Sequence, residues 1–294
     1  MTRVVVAGSR VRSLRADAET RPLLEALAAR GVEAEAAAWD DETVAWADAD
    51  LVAVRTTWDY TEHRDAFLAW AGRVDAATRL VNPLPVLTWS SHKRYLTELA
   101  AAGVPVVPTV LLEAGAPVPD VLGEGPLVVK PAVSAGGRGT RLGSADELRG
   151  PVGDLLAAGD VLVQPAVGSI GRDGEVSLIR LGDTWSHAVR KLPAAGGFLV
   201  HEKHGGRLED HVPTAPEVTV AEQALAAAPG PVAAARVDLV RLDGEPVVME
   251  LELIEPELFL RRAPGAAARL ADALLASCAD PYRRRAVTSR YSAS

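Results

Sequence analysis

The stretch that decides the fold reads Arg236-Val237-Asp238-Leu239-Val240, then Asp243-Gly244, then Val248-Met249-Glu250-Leu251-Glu252-Leu253. Charged and apolar residues alternate on both sides of a turn dipeptide, which predicts an antiparallel hairpin. Side chains two residues apart in a strand lie on one face of the sheet, so the two glutamates project together. The arginine and the aspartate share a face of their own strand for the same reason.

The length of the loop decides whether these acids meet. A two-residue loop of Asp243-Gly244 would pair Asp238 with Met249 and separate the acids. An odd-length loop centred on Gly244 would pair Asp238 with Glu250 instead. We predict the odd-length loop, because directly opposed residues share a face and only this register gathers the three carboxylates.

Three carboxylates on one face repel each other and are costly to desolvate unless a cation neutralises them. Mg²⁺ binds oxygen ligands and commonly links protein carboxylates to nucleotide phosphates. Asp238, Glu250 and Glu252 are therefore candidate magnesium ligands. The alternative is the exposed face of an edge hairpin, where such acids cost nothing. The apolar neighbours Val248 and Leu251 favour a buried central strand.

Two lysines and a glycine-rich loop lie upstream of the hairpin. Lys130 ends a short apolar strand, and Ser134 to Thr140 follow it with three glycines. A lysine at a strand end offers a point charge to an anion, and glycine backbone N–H groups can bind phosphate oxygens. Taken alone, such a loop is more often a plain turn, and its position directly after the strand-end lysine is what favours phosphate binding. Lys93, predicted in the first turn of a helix that ends at Gly103, opposes the helix dipole unless it reaches an anion; an exposed lysine is the alternative.

The rest of the pattern predicts three lobes. Strands and helices alternate over the first eighty residues, which indicates a parallel α/β lobe. That lobe lacks the Gly-x-Gly-x-x-Gly turn of dinucleotide-binding domains, since Gly8 stands alone. Asn82-Pro83 and Pro85 mark a boundary. We expect lobes at residues 1–84, 85–167 and 168–294.

Composition excludes several classes of protein. The 294 residues carry a net charge of −8, which argues against nucleic-acid binding. No apolar run is long enough to span a membrane. The one cysteine, Cys278, fits a reducing cytoplasm, and its late, apolar context favours packing over a nucleophilic role. We expect a cytoplasmic protein.

These elements, in this order, resemble the ATP-grasp superfamily, in particular its glutathione synthetase and D-alanine–D-alanine ligase branch. The resemblance runs from Pro85 to Phe259 and implies an ATP-grasp fold, α/β in class, in which two lobes grip ATP behind an N-terminal parallel α/β lobe. The segments Arg55 to Tyr60 and Glu250 to Pro256 resemble a narrower group, which includes the ligase that closes O-ureido-D-serine to D-cycloserine. Glu252 stands where the wider superfamily often has Asn.

The resemblance implies ATP and Mg²⁺ as cofactors, and it assigns roles by position. The phosphates would lie at Lys93 and Lys130, under the loop of Ser134, Gly136 and Gly137. Adenine would meet a hinge, and ribose would meet Glu175. Arg236 would stabilise the oxyanion of the tetrahedral intermediate, while Lys191 with Arg190 would hold the transferring phosphoryl group. The hinge comprises Gln164, Pro165, Ala166 and Val167.

The substrate would be a small amino-acid-like molecule. Arg55 and Asp59 are candidates for gripping its carboxylate and ammonium, and a local ion pair capping the next helix is the alternative. His201 is a substrate-shell candidate, although a structural role is favoured. Glutathione synthetases have Arg-x-Asn where this chain has Leu199-Val200-His201, which puts a glutathione-like substrate in doubt.

The resulting hypothesis is an ATP-dependent carboxylate–amine ligase that works through an acyl-phosphate, within one molecule or between two. An ATP-binding regulatory protein without turnover and a metal-dependent hydrolase that needs no ATP are the rival readings. Many members of the superfamily are dimers, so a homodimer is possible.

Overall fold

The computed structural model describes residues 1–10, 18–197, 199–200, 202 and 205–279 of the 294. Within these ranges the strands form three sheets, which follow one another along the chain. No helix in these ranges is both long and apolar enough to cross a membrane. The strands are β1 (Arg3–Gly8), β2 (Glu33–Ala38), β3 (Leu51–Thr56), β4 (Arg79–Val81), β5 (Val110–Leu112), β6 (Leu127–Pro131), β7 (Arg141–Gly143), β8 (Val161–Pro165), β9 (Glu175–Leu181), β10 (Thr184–Leu192), β11 (Arg207–His211), β12 (Ala234–Leu242) and β13 (Glu245–Glu252).

Eight α-helices accompany these sheets in the described part of the chain. They are α1 (Thr20–Ala28), α2 (Arg64–Ala77), α3 (Leu84–Ser90), α4 (Tyr95–Ala101), α5 (Ala145–Leu156), α6 (Ile170–Asp173), α7 (Ala215–Ala226) and α8 (Ala266–Ala279). The lobe boundaries at residues 84 and 167 stay a prediction.

The first sheet is parallel, as the strand–helix alternation predicts. Its order is β2-β1-β3-β4, with every neighbouring pair parallel. The strand Leu51–Thr56 is buried at every residue, as expected for a parallel strand covered on both faces. Trp39, Phe67 and Trp70 pack against one another beside it, with ring centroids 5.5–6.1 Å apart.

The second sheet, β5-β8-β6-β7, is antiparallel and has a core of its own with α5. Apolar residues recur from Val106, but β5 begins only at Val110, because Pro108 has no N–H for a continuous ladder. Val106 instead forms an isolated parallel bridge with Val248 of the hairpin. This bridge joins the second lobe to β13.

Lys93 does not lie in a helix. The helix that Ser90 or Ser91 is expected to cap begins only at Tyr95, as α4, and Lys93 lies in the turn between the end of α3 and this start. Its backbone N–H donates to Ala132 O at 2.8 Å, next to the glycine-rich loop, instead of to a helical carbonyl. The predicted end of the helix is confirmed, since Gly103 has φ +82° just beyond it.

The third sheet contains the hairpin, in the order β11-β10-β9-β12-β13. Asp238 lies opposite Glu250, so the predicted register is confirmed. The predicted loop length is wrong: Asp243-Gly244 is a two-residue turn, with φ of +52° and +90°. A β-bulge at Met249 inserts one extra residue into β13. The bulge shifts the pairing by one residue, so that Asp238 lies opposite Glu250 as predicted.

Two buried polar side chains join the first lobe to the segment that follows β13. Asn82 donates to Leu253 O at 2.7 Å and accepts from Ala233 N at 2.8 Å. Glu19 accepts from the backbone N–H groups of Leu258 at 2.9 Å and Leu260 at 3.0 Å. The chain that leaves the hairpin is therefore held in the core of the first lobe.

Candidate active site

A cleft with a volume of about 960 Å³ opens where the three sheets meet. Most of the residues singled out in the sequence line it, although they are spread over almost two hundred positions. Those that do are Asp59, Lys93, Lys130, Ser134, Gly136, Gly137, Gln164, Pro165, Val167, Glu175, Lys191, Arg236, Asp238, Glu250 and Glu252.

The three acids of the hairpin converge on one wall of this cleft. Asp238, Glu250 and Glu252 each offer a carboxylate oxygen within 4.8 Å of the others. Met249, the bulged residue, and Glu250 both line the cleft although they are adjacent in sequence. A set of three hard oxygen ligands fits Mg²⁺.

The three acids differ in pKa, and so in how readily each carboxyl is ionised. Arg236 and Lys191 outweigh the burial of Asp238 and hold its pKa well below the ordinary range. Lys93 does the same for Glu250, whose pKa falls to about 2. Burial, together with the neighbouring carboxylates, outweighs the contact of Glu252 with Arg236 and raises the pKa of Glu252 to about 8. The third acid therefore needs a further cation to be ionised at neutral pH.

Three of the cations in the cleft are already paired with these acids. Lys93 contacts Glu250. Lys191 contacts Glu175 at 2.5 Å and Asp238 at 3.2 Å. Burial would lower the pKa of Lys191, but the two carboxylates outweigh it and the pKa is raised.

Lys130 is different. It is buried at the end of β6, lines the cleft and forms no ion pair with any described residue. Burial lowers its pKa, and the more distant Glu250 offsets that effect only in part. A buried ammonium without a counter-ion is costly, so Lys130 presents a charge that an anionic ligand would neutralise.

The glycine-rich loop lies over these lysines. Ser134 O accepts from Lys93 Nζ at 3.0 Å, and Gly136 and Gly137 have φ of +60° and +74°, a region that favours glycine. Arg138 reaches across to Glu62 of the first lobe. The loop is therefore supported from both sides of the cleft.

The predicted hinge and ribose residues lie nearby, with one exception. Gln164 and Pro165 end β8 at the cleft wall. Ala166 does not line the cleft, because its N–H donates to Pro126 O at 2.9 Å. Glu175 is paired with Lys191, and its ribose role stays a prediction.

Besides Ala166, two predicted residues with described positions do not line the cleft. Arg190 follows the strand alternation to the opposite face of the sheet from Lys191, where it contacts His211 at 3.3 Å. Arg55 is only 3% exposed and donates to Glu19 and to Pro256 O, both at 2.9 Å. Neither residue lines the cleft, and their roles in substrate binding and phosphoryl transfer stay a prediction. His201 lies outside the described residues.

Glu255 is a cleft residue to which sequence reasoning gave no role. It follows Leu253-Ile254, both buried, and is itself 6% exposed. Burial raises its pKa to about 7, against the smaller opposing effects of its own backbone N–H, Lys93 and Arg236. The available signal was an acid placed directly after an apolar pair in the segment that leaves the hairpin.

Comparisons with known proteins point to one group. A family described as the N-terminal domain of D-cycloserine synthetase DcsG matches residues 4–82. Over 291 residues the chain is 38% identical to the cycloserine biosynthesis protein DcsG of Streptomyces lavendulae, covering 89% of this chain and 94% of that protein.

Solved structures agree with this result. The crystal structure of D-cycloserine synthetase DcsG matches with a TM-score of 0.83 and 33% identity, over 94% of this chain and 99% of that one. The D-alanine–D-alanine ligase of Bacillus anthracis, solved with ATP, matches with a TM-score of 0.67 and 16% identity, over 95% and 97% of the two chains. The second match shows the fold alone.

Proposed function

Because this chain belongs to the ATP-grasp ligases, and within them to the family of the cycloserine biosynthesis protein DcsG, we propose that it uses Mg²⁺-ATP to activate the carboxyl group of a small amino-acid-like substrate. A nitrogen nucleophile then attacks the activated carboxyl group. One observation carries the proposal: an unpaired buried lysine, Lys130, faces the same cleft as three converging carboxylates.

The lysines account for the nucleotide's phosphates. Lys130 has no counter-ion among the described residues, and Lys93 lies beside it in the cleft, tied to Ser134 of the glycine-rich loop. A triphosphate placed here gives Lys130 the negative charge that no described residue supplies as an ion-pair partner. This is our reason for placing the phosphates between these lysines and the loop.

Asp238, Glu250 and Glu252 would hold Mg²⁺. When bound, the ion would neutralise charge on the phosphates and on the carboxylate cluster. Glu252 would lose its proton on binding, because its pKa in the metal-free protein is about 8.

The transfer chemistry follows from charge placement. A substrate carboxylate oxygen attacks the γ-phosphorus and ADP leaves, which gives an acyl-phosphate. The nitrogen then forms a C–N bond as the C–O bond to phosphate breaks, and the nitrogen loses a proton. Arg236 is buried next to the carboxylate cluster and lines the cleft, so its guanidinium would stabilise the oxyanion of the tetrahedral intermediate.

We propose further that the nucleophile lies in the same molecule as the carboxyl group, so that the product is a ring, as in D-cycloserine. The support is the likeness to D-cycloserine synthetase over nearly the whole chain. O-ureido-D-serine is the first substrate to try. Its oxygen-bound nitrogen would close the ring, and water must also remove the carbamoyl group on that nitrogen, as CO2 and NH3, to give D-cycloserine.

Substrate-dependent ADP release tests the proposal, with product mass read in parallel. Wild type should release ADP with ATP, Mg²⁺ and O-ureido-D-serine, whereas the double variant Glu250→Gln, Glu252→Gln should not. Glu245→Gln lies on the same hairpin but is exposed at its turn, so it should match wild type. Normal turnover by the double variant would disprove the metal assignment. Binding of ATP by wild type without ADP release across a panel of amino acids would favour a regulatory protein instead.

A further inference from the structure

The cleft contains one acid that the steps above do not use. Glu255 lies three residues beyond Glu252, in the segment that follows β13. It lines the cleft, and only 6% of its surface is exposed. It forms no ion pair with any described residue. A buried carboxylate without a counter-ion is costly, and proteins seldom keep one without a ligand or a partner.

The cations near Glu255 are committed elsewhere. Lys93 forms an ion pair with Glu250. Arg236 forms ion pairs with both Asp238 and Glu252. Arg55 is paired with Glu19 at 2.9 Å. These cations act on Glu255 only from a distance, and burial outweighs them, so the pKa of Glu255 is raised.

Glu255 and Lys130 are therefore complementary. Glu255 is a buried carboxyl group, Lys130 is a buried amine, and both line the cleft. Neither has an ion-pair partner among the described residues. If phosphate neutralises Lys130, the matching group for Glu255 is a cation on the second ligand. Magnesium is accounted for by the three acids that lie within 4.8 Å of one another.

Resting on the proposed function, we propose that the Glu255 carboxylate binds the ammonium group of the amino-acid-like substrate. Glu255 is close enough to Glu252 and to Lys93 to act on both charges. An ammonium held there lies next to the reacting carboxylate, as it does in an α-amino acid.

Asp59 is the competing site for this ammonium. It lines the cleft from the first lobe, but its two oxygens already accept hydrogen bonds from Ser9 Oγ at 2.7 Å and from Trp39 Nε1 at 3.0 Å. Glu255 is the more deeply buried of the two acids and lacks such side-chain donors, so it gains more from a cationic ligand.

The test compares two ligands and two forms of the protein. O-ureido-D-serine carries the ammonium, and its deamino analogue, 3-(ureidooxy)propanoate, lacks it. Binding of each is measured calorimetrically in the presence of Mg²⁺ and a non-hydrolysable ATP analogue. Wild type should bind the amino acid about 10- to 100-fold more tightly than the analogue, as expected for a charge-assisted hydrogen bond. In Glu255→Gln that preference should fall to within about threefold.

Controls separate binding from folding. Affinity for the ATP analogue should stay within about twofold in Glu255→Gln, which shows that the cleft is formed. Glu257→Gln changes a neighbouring acid whose side chain is 43% exposed and lies 3.9 Å from Arg261, and it should keep the wild-type preference.

The outcomes distinguish this inference from the proposed function. Equal binding of both ligands by wild type, or an unchanged preference in Glu255→Gln, would overturn the Glu255 assignment. Loss of the preference in Asp59→Asn but not in Glu255→Gln would overturn it as well. If wild type shows the preference but releases no ADP with O-ureido-D-serine, the ligase mechanism fails and the ammonium site stands.

Discussion

Replacing Glu255 with glutamine should make the ligand-free protein more stable at neutral and alkaline pH. In the folded protein burial raises the pKa of this carboxyl from its ordinary 4.5 to about 7. The folded state then binds more protons than the unfolded state, so stability is lost as pH rises from about 4.5 to 7 and the full cost is present above 7. Below about pH 4.5 the cost disappears.

The magnitude follows from the two pKa values. At about 1.4 kcal/mol per pH unit, the difference corresponds to a loss of about 3 kcal/mol in the free energy of unfolding above pH 7. Glu255→Gln has no such titration. The variant should therefore exceed wild type by about 3 kcal/mol at pH 8 and by well under about 1 kcal/mol at pH 4.5.

Urea unfolding followed by tryptophan fluorescence measures this difference, since the chain has six tryptophans. EDTA is included so that no metal affects the neighbouring acids. Titrations of groups on which Glu255 does not act cancel, because variant and wild type are compared at each pH. Glu245→Gln, exposed on the same hairpin, is the control. A variant-minus-wild-type difference that is the same at pH 4.5 and pH 8 would refute the reasoning.

Three further predictions concern other parts of the molecule. Arg55→Met removes one partner of the buried ion pair with Glu19 and should lower the free energy of unfolding by about 3–5 kcal/mol; the exposed Arg21→Met is the control, and a loss no larger than in that control would contradict the role of the pair. Gly174→Ala places a Cβ 2.7 Å from Lys191 O at φ +75°, so it should cost about 1–3 kcal/mol and lower kcat, whereas Gly171→Ala, which has open space, should do neither. Mg²⁺ binding at pH 7 should release close to one proton from Glu252, whose pKa is about 8, and should tighten as pH rises towards 8; calorimetry in buffers of different ionisation enthalpy measures it, and proton release unchanged in Glu252→Gln would contradict the assignment.

The sequence predicted well what depends on period and local chemistry. Alternation placed Asp238, Glu250 and Glu252 on one face, and apolar runs located the parallel strands of the first sheet. The hairpin register was right although the loop was not, because a bulge at Met249 has no sequence signal as clear as Asp-Gly.

What the sequence could not give was the direction and pairing of individual side chains. Arg190 and Lys191 are adjacent, and only the phase of β10 decides which of them faces the cleft. The sequence makes Arg55 a candidate substrate residue, whereas in the structure its side chain donates to Glu19, which lies 36 positions away in the chain. That Glu255 has no ion-pair partner among the described residues depends on contacts between lobes, and no local pattern encodes such contacts.

The polar ties at Asn82 and Glu19 have a consequence for how such enzymes can be recombined. Residues 253–260 are hydrogen-bonded to side chains of the first lobe. A chimera joined only near residue 84 would therefore take the two partners of each of these hydrogen bonds from different parent proteins. A transplanted N-terminal lobe should need its own copy of that distant segment, Glu255 included. Diversification of this scaffold towards new small molecules is therefore expected to change two separate stretches of the gene together.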